Sequence, residues 1–368
     1  MNRNNGIALL IRCIAAAFFL LAANDAGAQA ISAYTDYRGY FMAFDKGAIN
    51  KLEYLPVNSY KMGSSCIAYI DNRNDFKIYY NGQSKFQLNA ADFKYWVTDY
   101  LVAYKVGQVL YVNDAGTKKT LCYYNTKMVV NDSLLSWFDD SQYTFKIYYN
   151  GRTAELESSL LEPPKVMKAG PNTLAWVNQS NFFSLFYQGN VTVLDNIAPL
   201  DFAAGRDIMC WTDDYDRYFH VFYRGDTATL ETFAPDSFKV GYGIMAYVDQ
   251  LGNFNAFFNG GTSRLLPDRP TFFQVNGNVI VYAYNNQLNV FYEGRNYPVE
   301  RYIPTNLQVG LNGVAYLDPG GALKYFFKGK SYPVTTEFVT QYALTGDVLK
   351  VEVGTNTNQF FWEGQLYE

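Results

Sequence analysis

The chain has 368 residues, of which 49% are hydrophobic, 18% aromatic and only 17% charged, and that much apolar and aromatic material excludes a disordered chain. Thirty basic against 34 acidic residues leave no electrostatic footprint for nucleic acid. A single histidine argues against a histidine-based catalytic triad or a histidine-rich metal site.

The first segment reads as an export signal. Arg3 and Arg12 lie ahead of an apolar stretch from Cys13 to Ala23, and Ala26-Gly27-Ala28 and Ala28-Gln29-Ala30 supply small-x-small cleavage sites. About a dozen apolar residues are too few to cross a bilayer. Residues 1–28 are therefore expected to be removed, leaving a secreted or periplasmic chain without a transmembrane segment. The mature chain keeps Cys66, Cys122 and Cys210. An odd number of cysteines in apolar strand patterns suits buried free thiols acting as small hydrophobes, with one disulfide and a spare thiol as the alternative.

From residue 31 to 368 one pattern repeats. Segments such as KIYYNG, SLFYQG, HVFYRG, NAFFNG and QFFWEG each end in a glycine, and the glycines are Gly47, Gly82, Gly116, Gly151, Gly189, Gly225, Gly260, Gly294, Gly329 and Gly364. They are spaced 34 to 38 residues apart, so ten copies fill the mature chain as a single domain. The clearest copy, residues 237–266, holds four short extended pieces: 238–240, 244–248, 253–258 and 262–266. We label them strands A to D. No stretch carries a useful helical period, so the chain reads as all-β.

The punctuation of the repeat has physical causes. Asn81-Gly82, Asn150-Gly151 and Asn259-Gly260 are Asn-Gly pairs between strands C and D. Both central residues of a type I′ turn need positive φ, which Asn tolerates and Gly adopts freely. Strand B ends in Tyr34-x-Asp36, Tyr69-x-Asp71, Trp137-x-Asp139, Trp176-x-Asn178, Trp211-x-Asp213, Tyr247-x-Asp249 and Tyr316-x-Asp318. An acid or amide there closes an Asx-turn. Adjacent aromatics on strand C, such as Tyr148-Tyr149 and Phe222-Tyr223, point to opposite faces, so both faces of each sheet must be covered. Radially repeated four-stranded sheets meet that demand.

This blade pattern resembles those of β-propellers, and in outline it is similar to YWTD-type and TolB-like repeats. The resemblance implies an all-β propeller, or toroid, of about ten four-stranded blades of about 35 residues, and implies no activity. The first copy begins at strand B, so the closure is expected to be imperfect or three-stranded at that blade.

Chemistry is sought where the repeat breaks. His220 lies five residues before its glycine, where other copies carry Lys77, Lys146, Ser184, Asn255, Asn289, Lys324 and Gln359. It reads as an ordinary polar member of the series. No catalytic constellation, cofactor fingerprint or metal motif emerges, and neither Asp71–Asp75 nor Asp213–Asp216 matches a calcium loop. The expected function is non-catalytic binding or scaffolding toward a protein or glycan partner on one face of the ring. The alternative is a propeller-type carbohydrate-active enzyme, a glycoside hydrolase or lyase using Asp or Glu. The loops between strands B and C vary most, and variable loops on rigid strands suit binding. Candidate binding residues are Asp71, Arg73 and Asp75 in the second copy and Asp213, Asp214, Tyr215, Asp216 and Arg217 in the sixth.

Overall fold

Each repeat folds into one antiparallel meander, and the ten sheets form a β-propeller. The computed structural model describes residues 30–89, 93–355 and 357–368. The expected export signal lies outside them. Among the described residues blade 1 has three strands, Ile31–Thr35, Phe41–Asp45 and Ala48–Glu53, and each of the other nine has four. In blade 7 the strands are Ser237–Val240, Ile244–Val248, Phe254–Phe258 and Gly261–Leu266, within a residue of the sequence reading. The described residues contain no helix, and none is long and apolar enough to cross a membrane.

The hairpin chemistry is realised. Asn150 and Gly151 have φ of 47° and 75°, and Asn81 and Gly82 have 48° and 78°, as a type I′ turn requires. The other copies place Lys46, Ala115, Gln188, Arg224, Glu293, Lys328 and Glu363 in the same left-handed conformation ahead of the glycine.

Strand B is buried on both faces in nine blades, with Lys350 and Glu352 of blade 10 only partly buried, whereas strand D carries the exposed outer edge, as Thr173–Val177 and Asn190–Asp195 of blade 5 illustrate. Among the described residues ten apolar clusters fill the ten junctions between neighbouring blades. Trp176 of blade 5, fully buried, packs edge-on against Phe145 of blade 4 at 5.5 Å between ring centroids. The three thiols are free and buried in these clusters. Burial pushes Cys66 and Cys122 up to about 12, so they act as hydrophobes.

Among the described residues the ring closes by side-chain packing, with no strand exchanged between blades 1 and 10. Instead Phe44 stacks on Phe360 at 4.7 Å, and Tyr34 meets the same ring at 5.2 Å.

At the axis the turns between strands A and B lie backbone to backbone. A β-carbon on Gly170 would collide with the Gly205 carbonyl, and one on Gly205 with the Gly241 carbonyl. Only glycine permits that approach. Amides then bond from blade to blade: Arg206 to the Gly241 carbonyl at 3.0 Å, Tyr242 to Gly277 at 2.6 Å and Asn278 to Leu311 at 2.8 Å.

Candidate binding site

Meander topology puts the B–C loops and the D–A links on one rim of the ring. The A–B and C–D turns emerge on the other. Exposed large apolar side chains divide unevenly between these rims. Tyr37, Tyr143, Phe182, Tyr215, Tyr218 and Leu251 stand on B–C loops, and Tyr54, Tyr123, Tyr124, Leu161, Phe233 and Phe338 on D–A links. Among the described residues no A–B or C–D turn carries one.

The B–C loops themselves are of two kinds. In blade 2, Asp71 is buried and its Oδ1 accepts from the amides of Arg73 at 2.8 Å and Asp75 at 2.9 Å. Its Oδ2 meets Lys77 Nζ at 2.8 Å. Burial pushes this carboxyl up, but Lys77 and the two amides outweigh it and hold it below the usual range. Asp75 accepts from Asn89 Nδ2 at 2.8 Å, and only Arg73 of this trio is exposed. The same Asx-turn recurs at Asp36, Asn178, Asp249 and Asp318. Asp71 and Asp75 therefore maintain the turn.

Blade 6, with strands Asp201–Ala204, Ile208–Thr212, Phe219–Tyr223 and Asp226–Glu231, departs from that turn. Blade 4 also has a longer loop, Asp139 pairing with Thr144, but in blades 1, 2, 5, 7 and 9 the turn closes from residue i to i+4, as from Asp71 to Asp75 and Asp249 to Asn253. Here the Asp213 amide bonds to the Tyr218 carbonyl, one residue further on. Asp213 Oδ1 still accepts from Tyr215 N, at 2.6 Å, while Asp216 Oδ1 accepts from Tyr218 N at 2.8 Å. The longer loop leaves Asp214, Tyr215, Asp216 and Arg217 exposed, Tyr215 to 87%. Arg217 adopts φ +66° and lies 3.8 Å from Asp214. Burial pushes Asp213 up, but the Tyr215 amide, the Asp195 carboxyl, the Asp216 amide and His220 together hold it low. His220 is not an isolated polar residue: its ring stacks on Trp211 at 5.0 Å and its Nδ1 pairs with the Thr229 hydroxyl at 3.1 Å.

The opposite rim carries a second polar feature, which sequence reasoning missed. Asp132 of blade 4 pairs with Arg206 Nη2 of blade 6 at 2.6 Å, and the Tyr242 hydroxyl of blade 7 lies 3.5 Å from the same oxygen. The Arg206 guanidinium covers the Tyr242 ring at 4.1 Å. Asp132 is only 4% exposed. Burial and the nearby Asp99 raise it to about 6 in spite of Arg206. A cavity of about 420 Å³ opens beside this cluster, lined by Tyr100, Ser133, Asn172 and Arg206 among others. Asp132, Arg206 and Tyr242 stand at one repeat position within the A–B turn, two residues ahead of strand B.

A family model described as a 10-bladed beta propeller domain matches residues 25–367. Solved structures are similar in part. The computationally designed Ika8 protein shares 15% identity over 73% of this chain and 95% of its own, with a TM-score of 0.34. The CRINKLY WD40 ectodomain of an Arabidopsis thaliana receptor kinase shares 9% over 64% and 92%, with a TM-score of 0.35. Prp20p of Saccharomyces cerevisiae shares 9% over 54% and 71%, with a TM-score of 0.31. No curated protein matches the sequence.

Proposed function

The chain belongs to the 10-bladed β-propeller domain family, and on that scaffold we propose an exported, non-catalytic binding or scaffold protein that holds a protein or glycan partner on its B–C rim. The carrying observation is the one-sided distribution of exposed aromatics. Tyr and Phe bury much area at little entropic cost and, for Tyr, offer a polar tip, which suits protein and glycan contacts alike. Asp214, Tyr215 and Arg217 add charge and a ring to that rim. The blade-level likeness to YWTD-type and TolB-like repeats belongs to this reading as an outline only. Its Tyr/Trp-x-Asp element has a structural role here, since Tyr69 and Tyr316 donate to Glu53 and Glu300 of the preceding blades.

Export is tested by amino-terminal sequencing of the protein recovered outside the cytoplasm, with an expected start near Gln29 or Ile31. Binding is tested with a glycan array and with cross-linking in the native envelope or medium. Replacing Asp214, Tyr215 and Arg217 together by Ala should weaken whichever partner emerges at least tenfold. The same change at Gln188, Lys328 and Glu363 on the opposite rim should leave it unchanged, and the reverse ranking would refute the assignment of the face. The carbohydrate-active alternative has one supporting observation, the raised Asp132 beside the cavity. Glycosidic turnover abolished by Asp132→Asn would favour it.

A further inference from the structure

In blades 2 and 9 a lysine fills a slot between neighbouring blades. Lys77 Nζ lies 2.7 Å from Glu53 Oε1 of blade 1 and 2.8 Å from Asp71 Oδ2. Lys324 Nζ lies 2.7 Å from Glu300 Oε1 of blade 8 and 3.8 Å from Asp318 Oδ2. Blade 4 repeats half of the arrangement, with Lys146 3.0 Å from Asp139.

Blade 6 keeps the carboxylates and lacks the ammonium. Asp195 pairs opposite Phe183 at the register of Glu53 opposite Phe41 and Glu300 opposite Leu288. Asp213 opens the turn, and His220 faces Trp211 as Lys77 faces Tyr69. The lengthened loop then brings in Asp216. One ligand atom each from Asp213, Asp216 and His220 lie within 4.8 Å of one another. Two departures from the repeat, the histidine and the added carboxylate of Asp216, meet on a long loop at the point where blades 2, 4 and 9 hold a lysine ammonium.

We infer that this slot binds one divalent transition-metal ion through Asp213, Asp216 and His220, in place of the lysine ammonium of blades 2, 4 and 9. The donor set decides the class. Imidazole with carboxylates suits Zn²⁺ or Mn²⁺, whereas Ca²⁺ and Mg²⁺ prefer oxygen alone. Thr229 and the Trp211 face hold the imidazole in place, the support that ligating histidines generally receive. Tetrahedral donors about 2.1 Å from an ion stand about 3.4 Å apart. The 4.8 Å spread closes to that by movement of the exposed residues 214–217. The bound ion would brace that loop and fix how Tyr215 is presented. The inference does not depend on the proposed partner.

The chain suits a clean test, since His220 is its one imidazole and the three thiols of the described residues are buried. Mature protein carrying no affinity tag is treated with EDTA and titrated calorimetrically with Zn²⁺, Mn²⁺ and Ca²⁺ at pH 7.5. One equivalent of Zn²⁺ or Mn²⁺ is expected, with Ca²⁺ at least tenfold weaker and a rise in melting temperature that EDTA reverses. His220→Lys restores the arrangement of blade 2, so it should fold, bind at least tenfold more weakly and melt at a temperature indifferent to EDTA. Asp216→Asn, on an exposed residue, should lose affinity equally if the lysine variant fails to fold. Absence of binding at millimolar ion, tighter binding of Ca²⁺, or unchanged affinity in these variants would each overturn the inference.

Discussion

Single residues carry their weight through partners supplied by other blades. Asp132 is the sharpest case, because burial and Asp99 raise it to about 6 from the ordinary 3.8. The folded chain therefore keeps a proton that the unfolded chain releases between about pH 4 and 6. The stability this group contributes is complete below that window and is lost as pH rises through 6. From pH 5 to pH 7 the loss amounts to about 1 kcal/mol. Urea unfolding at the two pH values should show this slope in the wild type and a shallower one in Asp132→Asn. Asp347, also raised by burial, contributes in the same direction to both proteins. Asp71, Asp139 and Asp249, held low by their turns, lose stability only at more acid pH. An equal slope in the two proteins would show that Asp132 is not the titrating group.

At the scale of the element, the C–D hairpin and the B–C turn divide the labour. The hairpin is uniform because its conformation leaves little choice. At Gly151 a new β-carbon would meet only Lys119 Nζ, at 3.7 Å, so space is not the constraint. The φ of +75° is. Gly151→Val should therefore cost about 1–3 kcal/mol as backbone strain, whereas Gly151→Asn, which tolerates the left-handed region, should cost clearly less. Equal urea midpoints for the two variants would reject that account. The B–C turn, by contrast, accepts an extra residue in blades 4 and 6 without loss of the Asx bond, because only the loop beyond Asp139 or Asp213 lengthens. That tolerance leaves the B–C loops free to carry different side chains from blade to blade.

For the whole molecule, closure is the point of interest. Blade 1 has no strand A among the described residues, and its junction with blade 10 is a small cluster of Ala30, Tyr34, Phe44, Val348 and Phe360. Phe360→Ala removes the ring that stacks on Phe44 and should cost about 3–5 kcal/mol. The loss should be local before it is global. Amide exchange should rise first in Ile31–Thr35 and Val348–Val353, since these strands flank the opened junction. Exchange that rises uniformly around the ring would show instead that closure is no weaker than any other junction.

The sequence by itself determined what depends on neighbours along the chain. Asn-Gly pairs require left-handed turns, doubled aromatics require two covered faces, and a spacing near 35 residues counts ten blades. The first copy's start at strand B marked the closure as imperfect or three-stranded. Each of these follows from local sterics, repeated until it is unmistakable. The tertiary structure alone decided the meetings between distant blades. Asp132 and Arg206 are 74 residues apart, and Asp132 and Tyr242 are 110 apart. The glycines at 170, 205 and 241 show their periodicity in the sequence but not the carbonyl each must approach. His220 occupies a polar position of the repeat, and only the fold stacks its ring on Trp211 and brings the carboxylates of its own B–C loop beside it. The physical reason is that side chains meet across a ring according to its radius and the tilt of its blades. Those are sums over all ten junctions, and no single segment of the chain contains them.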